Sequence, residues 1–234
     1  MPTHFTPEAL KFLRGLKRHN DRAWFEPRRA VYERELKAPM LALIDEVNDS
    51  LASFTPEHVR PAPKCLFRIY RDTRFSSDKR PYKTHIAAWW ACAGMEKTSG
   101  AGFYFHVSPT ETVIAAGVYM PTPEQLLAIR RYLADPAAAH HAELRALLAG
   151  RKLRAAMSEF DGNRLTRPPR GFCVDSPALD LLLCRQWGVS ATLPAECAIR
   201  PTLLREITTR FALAAPIVHL LNRAISPARP AKYP

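Results

Sequence analysis

The chain has 234 residues, a formal net charge of +12 and 47% hydrophobic residues, which is long enough and apolar enough to bury a sizeable core and excludes a disordered polar chain. The longest nearly apolar run, Ile86 to Met95, falls far short of the roughly 20 residues a membrane-spanning helix needs, and the first twenty residues show no secretory pattern. A cytoplasmic protein without a membrane partner is therefore expected, with one α+β domain over residues 1–225 and a mobile Pro-rich tail at 226–234.

In chain order, Thr6-Pro7-Glu8 supplies an N-cap, a proline at the first helical position and an early acid, predicting a helix from Pro7 to about Arg18 with Phe5 stapled to Leu10. Asn20-Asp21 marks a turn. The spacing of Leu36, Met40, Leu43, Ile44, Val47 and Leu51 predicts an amphipathic helix, and Pro39 inside it predicts a kink or restart near Lys37.

The period then changes to two. Phe67 and Ile69 alternate with Arg68 and Tyr70, while Phe103, Phe105 and Val107 alternate with Tyr104 and His106, so strands are expected at both places. Further strands are expected at Ile86–Ala91, Val113–Tyr119 and Gln186–Thr192. The short Ser108–Glu111 connection predicts an antiparallel hairpin over Gly102–Tyr119. The remaining pattern predicts helices from Thr122 to about Leu133, from Pro136, over Lys152–Ser158, from Ser176 to Leu183, and over Thr202–Ala224. The expected fold is α+β, with a central, mostly antiparallel sheet of about five strands flanked by N-terminal and C-terminal helices.

The positive charge is not spread evenly. Lys64–His85 holds seven Lys or Arg against two acids, and Arg151–Arg170 holds six against two; such runs attract phosphate or another anion, or form a solvated face with local ion pairs. The first run leaves a strand and returns past Pro81 to another strand, which brings Arg68, Arg71, Arg74, Lys79, Tyr82 and Lys83 forward as ligand-binding candidates. Arginine matches an oxyanion with a planar fork, lysine adds a point charge and tyrosine a neutral donor. Asp72 and Asp78 pose the alternative that these cations hold each other's neighbours in an internal ion network.

His85 is the candidate acid or base, because an imidazole titrates near neutrality. Ser76 and Ser77 lack a nucleophile-elbow context. Trp89 and Trp90 on a strand must face opposite sides, one into the core and the other free to stack on a ligand or a helix. Cysteines at 65, 92, 173, 184 and 197 have no CxxC pair, and adjacent His140 and His141 diverge on a helix, so no metal and no cofactor is expected. The cysteines read as small buried hydrophobes.

The string FRIYRDTRFSSDKRPYKTH, together with NDRAWFEPRRAVYERELKAP upstream and GFYFHVSP and RPPRGF downstream, resembles a family of conserved hypothetical proteins of bacteria and fungi that carries a domain-of-unknown-function label. The resemblance is nearly full length. Its pattern covers Asn20, Arg22, Trp24, Phe25, Phe67, Arg68, Tyr70, Arg71, Asp72, Arg74, Phe75, Ser76, Asp78, Lys79, Pro81, Tyr82, Lys83 and His85, and implies no role for any of them. In CRQWGVSATLP, Arg185 and Ser190 stand where the pattern leads one to expect Lys and Arg, so no anion role carries over to that strand. The residues themselves point first to binding of a phosphate-bearing or other anionic ligand, a nucleotide or nucleic acid included. The alternatives are a phosphoester hydrolase or transferase using His85, and an interaction module held by internal ion pairs.

Overall fold

A computed structural model describes residues 4–74, 76–95 and 100–225; the tail at 226–234 and Phe75 lie outside the described residues. Helix α1 runs over Pro7–Arg18 with the Thr6 hydroxyl accepting from Ala9 N, as its sequence predicts. Phe5, Leu10, Leu13 and Leu16 are all buried. Helix α2, Ala38–Leu51, follows a π turn at Glu33–Lys37 in which Ala38 N donates to Glu33 O. This wider turn is the restart that Pro39 demands: the amide proline lacks falls in the first turn of α2, where no intrahelical partner is required.

The strands are β1 (Ile86–Ala91), β2 (Gly102–Val107), β3 (Glu111–Val118), β4 (Ser158–Glu159) and β5 (Trp187–Pro194). They pair in the order β1-β2-β3-β5-β4 in an open antiparallel sheet, with Ser158 opposite Ser190 in the β4–β5 register. The remaining longer helices are α3 (Pro123–Ala134), α4 (His140–Leu148), α5 (Arg151–Ala156) and α6 (Leu203–Ile225). The capping box at Thr122 and Gln125 forms as its residues predict.

Local expectations differ in several places: the helix expected from Pro136 starts at His140, and the one expected over Ser176–Leu183 is a single turn at Leu179–Leu182. Residues 66–70 form only isolated bridges, Leu66 to Ala88 and Tyr70 to Tyr82, because the chain turns away at 71 and returns through Pro81, which has no amide to extend a ladder. The helix expected over 152–158 ends at Ala156, and Ser158–Glu159 pairs with β5 instead.

The chain divides into two compact units. The first takes the residues up to Trp90, Tyr104–Ile114 and Thr192–Thr209; the second takes Ala91–Phe103, Ala115–Ala191 and the residues from Arg210 onward. In the first, Trp90 is fully buried, its Nε1 donating to Asn48 Oδ1 of α2 at 3.2 Å, and His58 Nδ1 donating to its carbonyl at 3.0 Å. The second has its own core, in which Phe103 packs on Phe211 and the Asn222 amide pairs both ways with the Ala101 backbone. Among the described residues no helix is long and apolar enough to cross a membrane.

Candidate functional site

The two halves of the sequence string lock together within the first unit. Asn20 donates Nδ2 to Tyr82 O at 2.9 Å and accepts Tyr82 N at Oδ1 at 3.0 Å, the pairing a neighbouring strand would otherwise supply. Asp21 caps the short helix Arg22–Phe25, and this turns the buried Phe25 ring flat onto Tyr82, centroids 4.1 Å apart. Arg29 grips Glu26 and donates to Tyr70 Oη at 3.0 Å. The backbone bonds Lys83 N to Ile69 O and Arg71 N to Pro81 O close the base of the loop.

The loop's cations divide into two sets. Arg71 meets Asp78 at 2.7 Å and Arg80 meets the same carboxylate at 2.6 Å, while Arg74 grips Asp72 through two nitrogens. Bonds from the Arg80 side chain, the Arg80 amide and Arg71 drive the Asp78 carboxyl far below the ordinary carboxylate range. Arg74 holds Asp72 down at about 2. Lys79 donates to Thr73 O at 3.0 Å. Tyr82 is 1% exposed with its hydroxyl 3.4 Å from Glu26; burial foremost raises its pKa.

Arg68 and Lys83 form the other set, with no ion pair among the described residues. Lys83 is half-buried, its ammonium 4.9 Å from the centroid of the Phe67 ring. Burial and then the charge of Arg68 push its pKa down. Lys83 is thus a half-buried cation beside the exposed Arg68, and of the two only Arg68 acts on a carboxylate, that of Asp72.

Lys83 leads into a polar and aromatic sheet face. Alternation along β1 directs Ala88 and Trp90 to one side and His85 and Trp89 to the other; along β2 it separates Phe103 and Phe105 from Tyr104 and His106. The rings of His85 and His106 lie 5.1 Å apart, those of Trp89 and Tyr104 6.5 Å, and those of Phe67 and Tyr104 6.4 Å edge to face. Tyr104 Oη is 3.0 Å from His106 Nδ1, and His106 Nε2 is 3.7 Å from Glu111 Oε1. Burial, then the neighbouring His106 and Lys83, hold His85 at about 4, and burial holds His106 at about 4, so both are neutral imidazoles near pH 7. Trp89 Nε1 is buried without a hydrogen-bond partner among the described residues.

Of the candidates read from the sequence, Lys83 and His85 thus join this face, Arg68 lies close enough to Lys83 to act on its charge, and Arg71, Arg74 and Lys79 are engaged within the loop. Tyr104, His106 and Glu111 were not among the sequence candidates. Their signal was the strand GFYFHV itself, which sets a tyrosine and a histidine two apart on the side away from its phenylalanines.

The second basic run lines a cavity of about 510 Å³ in the second unit, with Arg145, Arg154 and Arg164 around Leu153, Met157 and Leu181; Arg145 there is paired with Asp180. Cys173 is exposed, unlike the buried Cys65 and Cys184. Among the described residues no group of three or more His, Cys, Asp or Glu is placed to hold a metal ion.

These features define an α+β protein whose antiparallel sheet carries a half-buried polar face. The chain belongs to the conserved hypothetical protein family DUF2461, whose model matches residues 8–220. Comparison with curated proteins and with solved structures gave no significant match.

Proposed function

We propose that the protein binds a phosphate-bearing or other anionic ligand through Lys83 and Arg68, against the sheet face formed by His85, Trp89, Tyr104 and His106. The observation that carries this reading is the half-buried Lys83 beside Arg68 without a facing carboxylate among the described residues. An anion there would relieve the repulsion and favour the charged form of the lysine. The aromatic surroundings suit a ligand with a planar group, a nucleotide included. Arg71, Arg74 and Lys79 shape the loop, and their charges extend the positive field around it. We place this activity in the cytoplasm, as the first twenty residues, which show no secretory pattern, lead one to expect.

Calorimetric titration with pyrophosphate tests the reading. Lys83→Met and Arg68→Gln should each weaken binding by about tenfold or more, the effect of losing one charge-assisted contact. Arg74→Gln, which removes a cation already held by Asp72, should change it less than threefold by the same measure. Equal losses in all three variants would mean diffuse attraction to a basic surface rather than a site.

A further inference from the structure

Three side chains on this face form a row that anion binding alone does not require. Tyr104 Oη contacts His106 Nδ1 at 3.0 Å, and Glu111 Oε1 stands 3.7 Å from His106 Nε2. A carboxylate on that side favours the tautomer with the proton on Nε2, which leaves the Nδ1 lone pair to accept the tyrosine hydroxyl. Hydroxyl, base and orienting carboxylate in sequence are the arrangement that converts a weak oxygen nucleophile into an active one. The row is set by the fold: Tyr104 and His106 are alternate residues of β2, Glu111 is the first residue of β3, and the Ser108 hydroxyl holds the intervening turn by accepting from the amides of Thr110 and Glu111. The His106 side chain is only 15% exposed, so little water competes for it. Phe67 touches both partners of the site, its ring beneath the Lys83 ammonium and edge-on to Tyr104.

We propose that Tyr104 is the nucleophile of a phosphoester-cleaving reaction, with His106 as its base and Glu111 as the residue that positions His106. The substrate class rests on the anion-binding reading above. Tyr104 Oη attacks phosphorus while its proton passes to His106 Nδ1, and Glu111 works against the burial that otherwise disfavours the resulting imidazolium. The bond from phosphorus to the leaving oxygen breaks with its electron pair, and that oxygen takes the proton from His106. Water then attacks the phosphotyrosyl phosphorus, giving its proton to His106. The Tyr104 oxygen leaves with the bonding pair and recovers that proton, so the net change is hydrolysis of one ester bond. Lys83 and Arg68 offset the charge that gathers on the phosphoryl oxygens.

An arylsulfonyl fluoride reads the activation of a phenol without knowledge of the substrate, since the tyrosine oxygen displaces fluoride only as its proton is removed. Labelling of the full chain, mapped by peptide mass spectrometry, should modify Tyr104 at least about tenfold faster than Tyr119, an internal control that is 58% exposed. His106→Gln should abolish the excess and Glu111→Gln reduce it, with Glu111→Asp restoring most of it. Tyr104 labelling no faster than Tyr119 in the unmodified protein overturns the nucleophile and needs no variant to fold. An excess that survives His106→Gln removes the base. Fast labelling in a chain that does not bind pyrophosphate would instead sink the anion reading, and with it the phosphoester class assigned here.

Discussion

Lys83 has a measurable signature of its own. Because burial and Arg68 lower its pKa in the free protein, an anion that faces it must raise that pKa, and binding therefore takes up protons at pH values near the free value. Calorimetry of pyrophosphate binding in two buffers of different ionisation enthalpy should detect this uptake, and Lys83→Met should remove it. The two imidazoles act on folding in a defined direction. Both lie at about 4 in the fold, against about 6.5 in an unfolded chain, so between those values the unfolded chain binds more protons. Stability is then full well above pH 6.5, falls as pH drops toward 4, and loses on the order of 3 kcal/mol per imidazole by the end of that window. Denaturant titrations at pH 7 and pH 5 should show the loss, and a His85→Gln, His106→Gln double variant should show much less of it.

At the scale of elements, the polar face depends on the opposite face being fixed. Trp90 and Trp89 are adjacent on β1, and Trp90 is held through Asn48 of α2, whose amide also donates to Arg60 O at 2.7 Å. Asn48→Ala removes a buried hydrogen bond to the Trp90 indole and a part-buried one to Arg60 O, and should cost about 1–3 kcal/mol in thermal or chemical unfolding. Much of this framework is legible in the residues. The Thr6 cap with Pro7 defines α1, and Pro39 locates the break before α2, because both follow from local backbone chemistry that needs no knowledge of neighbours. The split roles of Trp89 and Trp90 and the face shared by Tyr104 and His106 follow from strand alternation in the same way. What alternation does not contain is which strands lie side by side. The 5.1 Å approach of His85 to His106 depends on β1 pairing with β2 across residues 92–101, and the place of Glu111 depends on the β2–β3 register. The bridges at 66–70 were hidden for a related reason: the alternation of Phe67 and Ile69 is that of a strand, but Pro81 on the returning segment limits the pairing.

For the molecule as a whole, the net charge of +12 will attract polyanions over a wide surface, so attraction alone says little about a site. The basic residues reach solvent in both compact units, at the loop around residues 71–81 in the first and around the Arg145, Arg154 and Arg164 cavity in the second. Raising salt should weaken diffuse attraction to both, whereas a half-buried contact at Lys83 is screened less. The most direct measurement is therefore a backbone amide NMR titration with pyrophosphate at about 0.15 M ionic strength, where surface charges are screened beyond about 8 Å. Binding at Lys83 and Arg68 predicts saturable shifts concentrated at residues 67–71, 83–85 and 104–106. Shifts that fall instead on residues 145–170, or that spread over both units without saturating, would contradict it.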